Sequence, residues 1–419
     1  VRIDDSGDEM RYFYLETIRQ YARDRLFEAG EGSRARDVQF HYFAQMANTG
    51  FDGSLLSAGY AMPTEHLEED MDNLRAALDW GIGADPTAAI DLLRFLSPLW
   101  TTHGLGIELM HRARAADEAL AELPPAGDRD MITRRRARAF ALTIFAMGTG
   151  TSGGSEEAFA ATQEAETLFR EDGSLPGSLA DLLFWRAILG IEIGRADEYA
   201  AAQETYEIGL TLGDQVLQQI GLIAMARWAL VRDDTAAAAA HLAAARELRV
   251  KHELPILITS QADAEAMSAW AVGDFDAARR ALAEGAVALR QAHHRLFANV
   301  IDSEIGHTLR QTGDLAGAAE IYSATIVEWQ DLGHRAAVAN QLECFSFIAL
   351  EEEQLARAAQ LFGAAETLRD ALSSRMTPEE RKVYEANVAE LREGLAPAAL
   401  QEAWETGRGL DMDAAIELA

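Results

Sequence analysis

Lysine is almost missing from this 419-residue sequence. Only Lys251 and Lys382 occur, so nearly all of the 37 basic side chains are arginine. Cysteine is scarcer still: Cys344 stands alone, which excludes an internal disulfide and a thiolate zinc cluster and fits a reducing, cytoplasmic setting. Positive charge is short overall. With 68 acidic residues the formal net charge is −31, a field that repels nucleic acid and anionic lipid, so neither is expected as a direct partner. No apolar run approaches the roughly 20 residues of a membrane span. The N-terminus has no basic segment followed by an apolar one, so no signal peptide is read there. It opens on Val1 and not on Met, as a fragment of a longer polypeptide would.

The motifs of common catalytic sites are missing as well. Neither lysine follows a glycine-rich run, so there is no P-loop, and no G-x-S-x-G or H-E-x-x-H occurs. The histidines, His293-His294 included, form no i, i+4 pair with an added carboxylate of metal-site type. "GTGTSGGSEE" at 148–157 precedes a helix, but without a basic residue it reads as a turn and not as an anion cradle. "TRRRARAF", with Arg134, Arg135, Arg136 and Arg138, reads as a solvated helix face offsetting local acid rather than a patch for an acidic partner. No enzymatic site, no cofactor and no metal are expected within these residues.

Proline is rare too, at nine residues against a usual ~5%, and its scarcity favours helix. About half the residues are apolar, with Ala and Leu abundant, enough for a large helical core. Self-comparison then gives the main signal. Similar turns begin at Gly154, Gly194, Asp233, Gly273, Gly313 and Glu353, in steps of 39 or 40 residues. Glycine at the anchor suits a left-handed helix C-cap, and the Asp that follows it in several units suits an N-cap. Five residues past the last three anchors stand Ala278, Ala318 and Ala358. Seven before successive anchors stand Ala187, Ala226, Ala266, Gly306 and Ser346. Small residues at both positions are the tetratricopeptide pattern, whose usual period is ~34, so the extra residues belong to longer helices or longer turns. The expected fold is all-α, a right-handed α-solenoid of tetratricopeptide-like helix pairs with a concave surface.

That concave surface is the expected binding site. Counting back 13, 10, 6 and 3 residues from the last three anchors gives its lining: Ser260, Asp263, Met267, Trp270; Val300, Ser303, His307, Arg310; and Asn340, Glu343, Phe347, Leu350. Polar and aromatic groups mix here as they do in interaction surfaces. The bland alternative is that Asp263, His307 and Arg310 only pair with one another or face solvent.

Both ends differ from the repeats. Tyr12 to Leu15 reads as a strand and Glu16 to Phe27 as a helix, with no other convincing strand in the chain. "EEDMDNLRAALDWGIG" is helical, "PTAAIDLLRFLSPLWTTHG" and "IELMHRARAADEALAEL" look like a pair, and Pro124-Pro125 closes it. Downstream, Thr377, Pro378 and Glu380 make a capping box, and a last short helix begins at Asp411. The divisions are 1–48, a connecting module; 49–130, N-terminal helical pairs; 131–372, the 40-residue repeats; and 373–419, capping helices.

"YLETIRQYARDRL" with "AGE" and "HYFAQMA" resembles the end of the winged helix in actinobacterial STAND-type signal-transduction ATPase regulators. "EEDMDNLRAALDWGI" resembles the first array helix of that family. "ARAAQLFGAAETLRDAL", Tyr384 and "AWETGRGLDMDAAIELA" resemble its C-terminal signature. The resemblance implies a winged-helix remnant ahead of the array, and an ATP-binding domain further upstream that the array contacts within the same polypeptide. It also implies a role in transcriptional control, in relatives sometimes through a LuxR-type helix-turn-helix. The array would be the sensor arm that takes up an inducer or a partner protein. An accessory arm of a class III adenylate cyclase and a freestanding scaffold are the alternatives. "HGLGIELMHRARA" departs from the family in lacking an Arg-Trp-Leu run.

Overall fold

The periodic anchors turn the chain by a backbone conformation that side chains resist. In the computed structural model, Gly194, Gly273 and Gly313 have φ of 71°, 75° and 82°, while Asp233 and Glu353 take 58° and 60°. Positive φ costs a residue with a Cβ about 1 kcal/mol. The turn is therefore held at two repeats against local preference. A second series of turns, which sequence comparison passes over, lies half a repeat away at Gly173, Gly213 and Gly333, with φ of 65° to 70°. The structure describes residues 2–4, 11–13, 16–47, 54, 67, 70–102, 105–124, 127–150, 156–195, 198–252, 257–291, 295–372, 376 and 378–419. Gly154, Thr377 and the pair His293-His294 lie outside these residues.

Ahead of the array come two strands, β1 (Arg2–Asp4) and β2 (Arg11–Phe13), then α1 (Glu16–Glu28) and α2 (Gly32–Ala47). The strands pair antiparallel with Ile3 opposite Tyr12. The expectation of one lone strand over Tyr12–Leu15 is thus corrected. A partner precedes it, too short and too polar to register as a strand, and Tyr14 and Leu15 lie outside the described residues. Next follow α3 (Met71–Ala84), α4 (Pro86–Thr102), α5 (Gly106–Ala121) and α6 (Asp128–Gly150).

From there the chain is a solenoid of paired helices, each pair a B helix after an anchor and an A helix before the next. The pairs are α7 (Glu156–Asp172) with α8 (Pro176–Glu192), α9 (Tyr199–Leu212) with α10 (Gln215–Val231), and α11 (Thr235–His252) with α12 (Leu257–Ala271). Then come α13 (Phe275–Gln291) with α14 (Arg295–Gln311), α15 (Leu315–Asp331) with α16 (Arg335–Glu351), and α17 (Leu355–Leu372). The last three are α18 (Pro378–Gly394), α19 (Pro397–Arg408) and α20 (Met412–Leu418). The helices from α13 to α16 have 17 residues each. The turns at 312–314, 332–334 and 352–354 have only three, so the length beyond a tetratricopeptide unit lies in the helices.

Side chains close the open helix ends. Asp214, Asp314 and Asp411 accept from backbone N–H groups two or three residues on, as do Asp234 and Asp274. Small residues then let neighbouring helices close up. Ala187, Ala226, Ala266, Ala278, Ala318, Ala358 and Ser346 have no exposed surface. A Cβ on Gly306 would stand 2.5 Å from Tyr322 Cε1. The buried clusters follow one another along the chain, as expected when each helix pair buries its apolar face against the next pair.

Candidate functional site

The arginines sort the surface. Around "TRRRARAF" every guanidinium is taken up locally. Arg134 donates to Pro124 O at 2.6 Å, Arg135 faces Glu171 at 3.9 Å, and Arg136 meets Asp172 and Ser174 at 3.0 Å. Arg138 meets Glu164 at 2.9 Å and Asp117 at 3.4 Å. The run offsets local acid, as the sequence suggests. The same stitching continues down the repeats in Arg114–Glu157 (2.7 Å), Arg170–Glu204 (2.7 Å), Arg246–Glu284 (3.3 Å) and Arg295–Glu328 (2.8 Å).

The A-helix positions picked from the sequence divide into two groups. Some are consumed by the fold. Glu343 on α16 is 4% exposed and clasps buried Arg369 of α17 through two hydrogen bonds of 2.6 and 2.7 Å. Burial raises the carboxyl pKa, against the pull of the guanidinium. Ser303 is 7% exposed; its Oγ donates to Asn299 O at 3.0 Å and accepts from Trp329 Nε1 at 3.2 Å. Phe347 is buried beneath Arg310, and Asn340 donates to Glu380 Oε1 at 3.0 Å.

The others remain partly open: Asp263, Met267 and Trp270 on α12, and His307 and Arg310 on α14. Burial raises the Asp263 pKa, while the charge of Arg227 on α10 opposes it. Trp270 Nε1 and Arg310 Nε are buried donors with no hydrogen-bond partner. His307 Nδ1 lies 2.7 Å from Tyr322 Oη and 3.7 Å from Cys344 Sγ. Burial, then the neighbouring Arg310 charge, lowers the His307 pKa to about 4, so the ring is neutral near pH 7. Burial raises the Tyr322 phenol pKa, while the nearby Arg310 charge opposes it. Burial pushes the Cys344 thiol up to about 12, which removes it as a thiolate nucleophile. Arg310 rests 4.9 Å above the Phe347 ring.

Tyr322 and Arg369 complete these groups, and the A-helix count could not have found them because both sit on B helices. Their mark in the sequence is a polar atom inside an apolar stretch ("AAEIYSATI" and "AETLRDAL"). On the A helix α8, thirteen residues before the Gly194 anchor, Asp181 is 2% exposed and accepts from Ser54 at 2.5 Å. A cleft of about 490 Å³ opens between α11, α12 and α13, where Ala236, Ala239 and Ala243 are too short to reach Val272 and Ala269. No group of three or more His, Cys, Asp or Glu able to hold a metal is found among the described residues. No described helix is long and apolar enough to cross a membrane.

No family model matches the chain. Over 257 residues it is 27% identical to two curated proteins, one of Mycobacterium bovis and one of Mycobacterium tuberculosis, each described as "Putative HTH-type transcriptional regulator". The match covers 52% of this chain but 28% of either relative, so the chain accounts for little more than a quarter of their length. Among solved structures it resembles a Rap protein crystallised with Competence and Sporulation Factor. The TM-score is 0.52 at 13% identity, over 88% of this chain and 99% of that one. At that identity the likeness shows the fold, an α-solenoid of tetratricopeptide-like helix pairs.

Proposed function

We propose that this chain is the sensor and interaction arm of an ATP-dependent, STAND-type transcriptional regulator. It takes up a partner protein or inducer on the A-helix face of its repeats and passes that state to a nucleotide-binding domain of the same polypeptide. One observation carries the reading. On α12 and α14 the A-helix positions Asp263, Met267, Trp270, His307 and Arg310 stay partly open, a mixture of charged, polar and aromatic side chains. Such mixtures of charged and aromatic groups are what interaction surfaces present, so this strip fits the uptake of a partner. The similarity to transcriptional regulators supports the regulatory half of the reading, and the Rap structure supplies a solenoid of this shape crystallised with a factor.

The full reading frame that contains this chain tests it. Purified whole, the polypeptide is expected to hydrolyse ATP slowly, and deleting residues 86–419 is expected to raise that rate several-fold by removing the restraint. Absence of ATP hydrolysis in both forms would refute the ATPase linkage. Formation of cyclic AMP would replace it with the cyclase alternative.

A further inference from the structure

We infer that the cleft between α11, α12 and α13 receives a short amphipathic helix of a partner protein, one with an apolar stripe and basic residues in its last turn. This surface is separate from the A-helix strip and does not rest on the reading given for that strip. The cleft takes Glu265, Ser268 and Ala269 from α12 and Val272 just after it, whereas the strip takes Asp263, Met267 and Trp270. It is open to the outside. Val272 is 63% exposed, and Ala236, Ala239 and Ala243 of α11 are exposed as well. Along α11 it runs from Thr235 to Arg246, roughly 16 Å at 1.5 Å per residue, which is room for about three helical turns. Exposed alanines alone would mark no more than a stable helix. What gives this groove an occupant is its counterpart elsewhere in the chain.

Two repeats later, the groove between α15, α16 and α17 is built from equivalent positions, and α20 lies on it. At the start of α20, Asp413 accepts from Gln330 of α15 at 2.6 Å. At its other end the Leu418 carbonyl accepts from Arg357 of α17 at 3.0 Å. Met412, Ala415, Ile416 and Ala419 form the apolar stripe of this helix, at i, i+3, i+4 and i+7. They join the buried cluster that holds Leu315, Ala319 and Ile348. Those three stand at the register of Thr235, Ala239 and Ser268, which line the open cleft. With α20 in place, Ile348 is 4% exposed and Ala349 has no exposed surface, while Ser268 and Ala269 at the same register stay partly open. The same groove thus exists twice, once filled by a helix and once open.

The two grooves differ where the docked helix ends, and the difference sets the charge of the occupant. Arg357 donates to the carbonyls of both Leu418 and Ala419. At the register of Arg357 the open cleft has Ala277, and Asp274 lines the wall beside it. A helix C-terminus carries partial negative charge, so a helix lying as α20 lies would meet an acid there and no cation. Arg246, at the opposite end, is already held by Glu265 and Glu284. The cation must therefore come from the occupant, as Lys or Arg in its last turn.

Two synthetic helices test this. Each copies residues 409–419, with the exposed positions Asp413 and Glu417 joined by a staple because so short a helix does not hold in water. One is extended at its C-terminal end by two arginines and the other by two glutamates. Each is titrated into the whole 419-residue chain and followed by fluorescence anisotropy. The arginine peptide is expected to bind about tenfold more tightly than the glutamate peptide. Ala239→Arg gives the cleft the residue that α13 carries at the same register, Arg279, and should weaken the arginine peptide about tenfold. Ala240→Arg, one position on and outside the cleft lining, should leave binding unchanged, with the melting temperature of both variants checked against wild type. Unaltered binding in Ala239→Arg would put the peptide elsewhere, the groove of α20 included, and overturn the assignment. Equal affinity for the two peptides, or no saturable binding of either, would overturn it too. Sedimentation of the chain alone is expected to show no dimer that depends on the cleft. A dimer dissolved by Ala239→Arg would give the cleft to a second copy and overturn the partner assignment.

Discussion

Arg369 and Arg310 lie on helices separated by one helix pair, α15 with α16, and end in opposite circumstances. Arg369 is 9% exposed and doubly hydrogen-bonded to Glu343, an internal clamp between α16 and α17. Arg310 is partly open, rests on an aromatic ring and meets no carboxylate among the described residues. The same residue type in the same fold thus does two jobs, and the sequence around each is much alike. What separates them is whether a neighbouring helix brings an acid to that spot. The fold commits some cations to holding helices together and leaves others outside any ion pair among the described residues.

The largest expected effect breaks the clamp. Glu343→Ala strips both carboxylate hydrogen bonds from a buried guanidinium and should cost about 3–5 kcal/mol in urea unfolding. A Glu343→Leu/Arg369→Met pair should recover most of it, because both charges leave together. If the single variant unfolds with wild-type stability, the pair is not a clamp.

On the other side of the comparison the expected signal is in pH. The folded-state pKa of His307 is lowered to about 4 from 6.5, so its contribution is complete above pH 6.5 and is lost as pH falls toward 4, where the unfolded chain binds the proton first. Stability of the wild type should drop by about 1–3 kcal/mol more than that of His307→Gln across this window. Parallel curves would place His307 in solvent rather than against Tyr322.

The exposed stitching should matter least per contact. Arg170→Gln loses pairs to Glu166 and Glu204 and should shift unfolding by about 0.5–1 kcal/mol, an effect that shrinks further in high salt. Arg310→Gln should be smaller still in stability, about 0.5 kcal/mol from the lost ring contact, because it breaks no ion pair. A cost of several kcal/mol there would make Arg310 a structural residue like Arg369.

The period was legible because it is written in local chemistry. Left-handed turns, Asp caps and small contact residues repeat in the sequence itself, and the structure keeps the anchor turn even where Asp233 and Glu353 replace glycine. The second turn series was missed since only Gly173, Gly213 and Gly333 mark it, and other residues stand at the intervening positions. The lining positions were legible only in part. Helical spacing put Glu343 and Arg310 in equivalent stripes, but nothing in that count reports Arg369, which arrives from the following B helix. Likewise the register that gives Ser303 cannot announce Trp329 Nε1. Burial and pairing are set by neighbours that periodicity along one helix does not contain.

One unfolding comparison bears most directly on the division between committed and uncommitted cations. Urea unfolding of wild type, Arg369→Gln and Arg310→Gln separates the two roles. A loss of about 3–5 kcal/mol in Arg369→Gln, against about 0.5 kcal/mol in Arg310→Gln, is the expected result. Equal losses in both variants would contradict it.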